Sequence, residues 1–360
     1  MIEYNEGRRS LSRGIPDPQR YGNVEHVSHA KPGIKPFPDQ LHVIVPIMNP
    51  IRYRVRYELF RAFERHIEES GAFLYIVEVA FGDRPFEVTE RGNPFHIQLR
   101  SRTELFHKEA MINVGISRLP LEAKKVAWID ADILFTRPDW VQETLQLLEH
   151  YKIVQMFSHA QDVGPNYEPL PNGSFDGFAY SYVKGIPLPY TNKFMYYPYY
   201  AGTKKGGDMM KWHSGYAWAA RREAIDELGG LIDWAILGSA DHNMAAALVG
   251  KVKFTIHGDV HPVFMQKMLR WQELADKYIR KNIGYIPGTI QHFWHGKKKD
   301  RGYVDRWKVL TENQFNPHID VKRDGQGLFQ LEDHGDERSI KLRDDIRRYF
   351  RQRNEDSIDT

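Results

Sequence analysis

The run Lys125-Val126-Ala127-Trp128-Ile129-Asp130-Ala131-Asp132-Ile133-Leu134-Phe135 constrains this chain more than any other stretch. Val126 to Ile129 is apolar, β-branched and aromatic, the make-up of a short strand buried on both faces, and such strands belong to parallel sheets covered by helices. It ends abruptly in two acids around an alanine. Alternate side chains of an extended strand share a face, so Asp130 and Asp132 are expected to point the same way. In open α/β sheets ligands gather beyond the carboxyl ends of the strands, and paired carboxylates there suit a hard divalent cation and a diphosphate. Arg137-Pro138-Asp139-Trp140 then opens a helix reaching Leu148, with proline in its first turn. The alternative reading of the two acids is a solvated strand-end turn.

The segments before this run have the rhythm of strand, helix, strand. Leu41 to Val45 forms a first strand, closed by Pro46 and Pro50. Val55, Leu59, Phe60, Phe63 and Ile67 recur at helical spacing between Arg54 and Ser70, and Gly71 stops that helix. Phe73 to Phe81 is a second strand running into Gly82-Asp83, so the two strands should lie parallel through a crossover. Lys108, Met111, Ile112 and Gly115 then have helical spacing. A lysine at the start of that helix can reach the sheet edge as a point charge for a diphosphate, or it can lie solvated on the surface. Residues 1–40 have no periodicity and contain Lys31-Pro32-Gly33-Ile34-Lys35-Pro36-Phe37-Pro38, which sustains neither helix nor ladder; they are expected to form an extended arm.

Composition excludes several chemistries. The chain has 360 residues, 41% hydrophobic and 27% charged, enough to bury a sizeable core. It has no cysteine, which removes disulfides, thiolate metal sites and cysteine nucleophiles. The net charge is only +3, so any polyanion must be held by local basic patches. No apolar segment has the length of a signal peptide or a membrane span, and a cytoplasmic location is expected.

The order strand, helix, strand, then Phe106-His107-Lys108-Glu109 with Ile112-Asn113-Val114-Gly115, then Trp128-Ile129-Asp130-Ala131-Asp132, resembles the GT-A nucleotide-sugar glycosyltransferases. The pattern is nearest to the β-1,4-galactosyltransferase and polypeptide GalNAc-transferase groups. The resemblance implies a GT-A fold: an α/β, Rossmann-like, mostly parallel sheet flanked by helices. It implies a divalent ion, Mn2+ or Mg2+, on Asp130 and Asp132, and a UDP-sugar donor whose diphosphate meets Asp130, Lys108, Lys297 and Arg301. Glu78 or Asp83, at the end of the second strand, are the candidates for the uridine-like base.

A second block, Trp212-His213-Ser214-Gly215-Tyr216-Ala217-Trp218, then Leu228-Gly229-Gly230-Leu231-Ile232-Asp233, then Gly238-Ser239-Ala240-Asp241-His242, is similar to the acceptor-side motif of those families. It implies acceptor contacts from Trp212, His213, Tyr216, Trp218 and His242. The family pattern has a Glu-Asp pair where this chain has Ala240-Asp241, so Asp241 is left as the general base, and it can also cap the helix running from His242 to Val249. Several GT-A groups complete the metal site with a distant histidine. His295 in His292-Phe293-Trp294-His295-Gly296 is the first choice, His292 the next and His257 the third, among sixteen histidines.

The resulting layout is an arm (1–40), a catalytic domain (41–300) and a C-terminal extension (301–360) ending in a basic amphipathic helix around Ile340 to Arg351. Within the catalytic domain, 41–160 serves nucleotide sugar and metal and 161–300 serves the acceptor, with a loop insertion at 161–210. That insertion includes Tyr196-Tyr197-Pro198-Tyr199-Tyr200-Ala201-Gly202, suited to stacking on a sugar or base. The stretch from Lys108 to Asp132 is also similar to base J glucosyltransferase and related phage and bacterial proteins, which implies a hydroxymethyl pyrimidine in DNA as one acceptor. DNA would meet Lys297, Lys298, Lys299, Arg301, Arg343, Arg347, Arg348 and Arg351. Glycan, lipid-linked and protein acceptors are the alternatives. A metal-dependent nucleotidyltransferase or phosphohydrolase would use the same acid pair, but with further strand-end acids for a second metal.

Overall fold

The apolar runs become the centre of one large sheet. Leu41–Met48 (β1), Phe73–Phe81 (β2), His96–Ser101 (β3) and Lys125–Ile129 (β4) pair in parallel. All five residues of β4 are buried, as its unbroken apolar character requires, whereas β3 alternates buried and half-buried positions as an edge strand does. The computed structural model describes residues 40–186, 212–302 and 305–359. The expected N-terminal arm and the Tyr196-to-Gly202 segment lie outside them.

β1 runs straight through Pro46 to Met48 instead of stopping there. The reason is its pairing: β4 accompanies β1 only as far as Ile44, while β2 continues alongside it to Met48. Beyond Ile44 one side of β1 has no strand, and a residue without an N–H is tolerated there.

Three more strands, Ile153–Gln155 (β6), Ala217–Arg221 (β10) and Ile283–Tyr285 (β11), extend the sheet to the order β11-β6-β10-β4-β1-β2-β3. β10 is antiparallel to both neighbours, so six strands run one way and one the other. Helices cover both faces. Arg54–Glu69 (α1) buries Phe60, Phe63 and Ile67 on one, and Lys108–Ser117 (α2) buries Met111, Ile112 and Ile116 on the other. Gly115 lets α2 lie close to β1: a Cβ there would stand 2.9 Å from Ile44 Cγ2 and 3.2 Å from Val77 Cγ2. The sheet is therefore α/β and mostly parallel, as the sequence implies.

A second sheet was not foreseen. Its order is β5-β12-β7-β8-β9, built from Ile133–Phe135 (β5), His159–Val163 (β7), Pro169–Gly177 (β8), Trp212–His213 (β9) and Thr289–His292 (β12). The first part of the expected loop insertion, up to Gly177, is thus an antiparallel hairpin of β7 and β8. Its sequence has little apolar alternation because only part of each strand is buried.

Two helix starts also shift. The helix expected from Arg137 begins at Trp140 (α3, Trp140–Leu147), because Arg137 is turned to Asp139, Glu143 and the Pro287 carbonyl. The helix expected from His242 begins at Ala240, with Ser239 rather than Asp241 at its N-cap position.

The C-terminal helix, Glu337–Arg351, is seated in the main core. Leu342, Ile346, Tyr349 and Phe350 are all buried in the same cluster as Ile44 and Trp128. Its arginines lie near acids, two of them sharing one. Arg343 and Arg347 face Asp344, Arg348 faces Asp345, and Arg351 donates to Glu104. No helix among the described residues is long and apolar enough to cross a membrane.

Candidate functional site

β4 and β5 belong to different sheets, and the chain turns at Ala131-Asp132 to pass between them. This turn decides the fate of the acid pair. Asp130 follows the last residue of β4 and Asp132 lies in the turn, so strand alternation does not hold the two to one ligand. Asp130 forms an ion pair with Lys108 at 2.5 Å, whereas Asp132 turns to the end of β12. There its Oδ2 lies 3.1 Å from His295 Nε2 and 3.9 Å from His292 Nε2, and the two imidazole nitrogens are 3.3 Å apart.

Among the described residues, Asp132, His292 and His295 form the group that could hold a metal ion, and Asp130 is not part of it. The group differs from the expected Asp130, Asp132 and His295 set: the histidine ranked second is in it, and the first acid is not. His257 stands elsewhere, beside Asp259. The chemistry of the three atoms fits a cation. Two imidazole nitrogens and a carboxylate oxygen lie within 4.8 Å of one another, and the second Asp132 oxygen, Oδ1, is buried with no hydrogen-bond partner. Burial and the Arg301 guanidinium push the His295 imidazole down to about 3, leaving it in the neutral form that ligates metals.

These ligands line one cavity with most of the other expected residues: Lys108, Asp130, Trp212, His213, Tyr216, Asp241, His242 and Arg301. Tyr216 has a left-handed backbone, φ 73°, a strained conformation for an aromatic residue, and it is held there by packing. Its ring stacks on His213 with centroids 3.8 Å apart, and its carbonyl accepts from the Asp130 N–H at 2.8 Å. Trp212 stacks on His242 at 5.4 Å.

Asp241 lies in the first turn of its helix, accepting from the His242 N–H at 2.8 Å. Burial alone would raise its carboxyl, but Lys108, His213 and that N–H outweigh burial and hold it below the ordinary value, so it is a carboxylate at neutral pH. Burial would likewise lower the Lys108 ammonium. The surrounding Asp130, Asp241 and Glu109 prevail and raise it. Gly215 makes room for Asp241, since a Cβ there would stand 2.5 Å from Asp241 Oδ2.

Four expected residues are placed elsewhere. The Glu78 carboxylate is buried and occupied: it accepts from the backbone N–H groups of Glu87, Val88 and Thr89 and from the Thr89 hydroxyl, fixing the loop after β2. Asp83 lies in a separate surface recess with Arg84 and Arg102, and neither acid lines the main cavity. Trp218 is a core residue on β10, its Nε1–H given to the Ser214 carbonyl at 2.7 Å. Lys297 is not at the cavity; its neighbour Lys298 is.

Other wall residues carry no motif. Glu109, next to Lys108, is buried and faces the cavity; burial and the Asp241 charge push its carboxyl up to about 8. Arg56, Arg353 and Glu355 close another side, drawn from helix α1 and the C-terminal tail. Only the adjacency of Glu109 to Lys108 was visible beforehand.

No family model matches the sequence, and no curated protein matches it. Solved structures resemble its backbone distantly. The catalytic domain of Drosophila β1,4-galactosyltransferase 7, in complex with xylobiose, has 12% identity and a TM-score of 0.35 over 82% of this chain and 94% of that one. S. aureus TarS 1–349 in complex with UDP-GlcNAc has 12% identity and a TM-score of 0.38 over 72% and 60%. GalNAc-T7 with UDP, GalNAc and Mn2+ has 12% identity and a TM-score of 0.41 over 86% and 55%.

Proposed function

We propose that this chain is a metal-dependent glycosyltransferase that moves a sugar from a nucleotide-sugar donor to an acceptor hydroxyl. The observation that carries the reading is the gathering, in one cavity at the sheet edge, of a metal-ligand triad, a buried lysine and an ionised aspartate. Those three have separate tasks in glycosyl transfer, and the residues divide accordingly. Asp132, His292 and His295 would hold a metal ion, which would supply Lewis-acid stabilisation to a departing diphosphate. One oxygen and two nitrogen ligands suit Mn2+ or a similar first-row ion better than Mg2+, which prefers oxygen throughout.

Lys108 and Arg301 bring positive charge to the same cavity, and Lys108 is kept charged and oriented by Asp130. Asp241 is free of its proton at neutral pH and accepts the one released by the acceptor hydroxyl as that oxygen attacks the anomeric carbon. Trp212, His213 and Tyr216 line the same cavity as an aromatic wall against which a sugar can pack.

The acceptor reading turns on charge. The four C-terminal arginines expected to meet DNA are each engaged by an acid, which weakens the case for a phosphate-binding groove and favours an uncharged carbohydrate. A two-metal nucleotidyltransferase or phosphohydrolase is disfavoured, because among the described residues a single group of potential ligands is found.

The test is incubation with labelled UDP-sugars and Mn2+, offering oligosaccharides and hydroxymethylated DNA as acceptors. Mn2+-dependent release of UDP, abolished in Asp132→Ala, is expected. Full turnover in EDTA or in Asp132→Ala refutes the proposal.

A further inference from the structure

The most specific arrangement outside the roles already given is behind His292. β12 and β7 are parallel neighbours whose register sets His292 directly beside Asp162. The Asp162 side chain is 5% exposed and its Oδ1 lies 2.8 Å from His292 Nδ1. Two more donors fix that carboxylate: the Tyr216 hydroxyl at 3.3 Å and the Lys298 ammonium, which also lies over the Phe175 ring at 4.3 Å. A carboxylate with these neighbours accepts and does not donate, so the proton on the His292 ring belongs on Nδ1. The other nitrogen, Nε2, then presents a lone pair, and it is Nε2 that faces Asp132 and His295.

We propose that Asp162 is a positioning residue for the metal centre, fixing the tautomer and orientation of His292 so that Nε2 is the ligand atom. This rests on reading Asp132, His292 and His295 as metal ligands. Carboxylates behind a ligating histidine commonly contribute 10–100-fold in metal affinity. The two histidines differ in this respect. His295 Nδ1 is buried without a hydrogen-bond partner, so its ring has no corresponding anchor. His292 is the preorganised ligand, and Asp162 links the first ligand-bearing sheet edge to the hairpin strand β7.

The experiment is Mn2+ titration by calorimetry on the whole chain, with 15N NMR of the histidine rings before metal is added. Asp162→Asn keeps the shape of the side chain, but its amide can donate to Nδ1 and shift the proton to Nε2. It is expected to melt near the wild-type temperature, bind Mn2+ roughly 10–100-fold more weakly and lose the Nδ1–H pattern of His292. Lys298→Gln removes the other ionic partner of Asp162 and should leave that pattern in place. Asp162→Ala is the second variant, with the same loss of affinity expected. Wild-type Mn2+ affinity in both Asp162 variants, or a wild-type His292 protonated on Nε2, overturns the proposal. Failure of the wild-type protein to bind Mn2+ overturns instead the ligand assignment on which it rests.

Discussion

Glu355 joins the two ends of the described chain, and replacing it by glutamine should be costly. The side chain is 1% exposed. Arg56 of helix α1 grips both its oxygens, with Nη2 2.7 Å from Oε1, and Arg353 Nε donates to Oε1 at 2.6 Å. Around it the tail is tied down by further hydrogen bonds. Asp356 accepts from the N–H groups of Arg54 and Val55 that open α1, Asn354 N–H donates to the Tyr53 hydroxyl, and Trp294 Nε1 donates to the Ser357 carbonyl. In Glu355→Gln one end of the amide is a donor facing guanidinium donors, and two cations lose their shared counter-charge.

Breaking a buried ion pair from one side costs about 3–5 kcal/mol. Arg56 is 30% exposed and can regain water, whereas Arg353 is 9% exposed and cannot, which places the cost near the lower end, about 3 kcal/mol. That is roughly a 150-fold shift in the folding equilibrium. Urea unfolding followed by circular dichroism at neutral pH measures it, and proteolysis should reach the C-terminal tail sooner. A loss under about 1 kcal/mol, the range of an exposed pair, would refute the claim that this buried carboxylate fastens the tail.

Gly215→Ala drives a methyl to 2.5 Å from Asp241 Oδ2, forcing that carboxylate aside by close to 1 Å. Turnover should fall by about 100-fold with melting little changed, and the effect should vanish when Asp241→Asn is already present; additive losses would show that Gly215 acts otherwise. His107 is buried against Phe81 and Ser101 and its pKa is pushed down to about 4 by burial. Its folded pKa lies below the unfolded value, so its stabilising effect is complete above about pH 6.5 and is lost as pH falls toward 4, on the order of 3 kcal/mol in all. His107→Gln should flatten the pH dependence of the urea midpoint in that window; an unchanged slope would assign it to other groups. For the acceptor, DNA binding at about 50 mM salt that fades steeply as salt rises would revive the nucleic-acid reading, and its absence is expected.

The legible part of this protein was local. An unbroken apolar run must be a strand buried on both faces, and β4 is one; helical spacing from Arg54 announced α1 almost to the residue, with Gly71 at its end taking a φ of 78° that glycine adopts without strain. Lys108, Asp132, Asp241 and His295 were legible as chemistry because acids and bases at strand ends and helix starts have few local duties. Glu78 misled for the opposite reason. Its place in the second strand was visible, but the three backbone N–H groups that consume it come from a loop whose path no pattern encodes.

What the sequence by itself determined is the mostly parallel sheet and the inventory of groups brought to its edge, since periodicity and side-chain chemistry are properties of short segments. Which groups share a ligand was decided only by tertiary structure. The turn at Ala131-Asp132 carries Asp132 into a second sheet and leaves Asp130 to Lys108, and the β12–β7 register sets His292 beside Asp162, 130 positions apart in the chain. Register and sheet exchange depend on contacts between distant segments, each too weakly patterned to reveal its partner in advance.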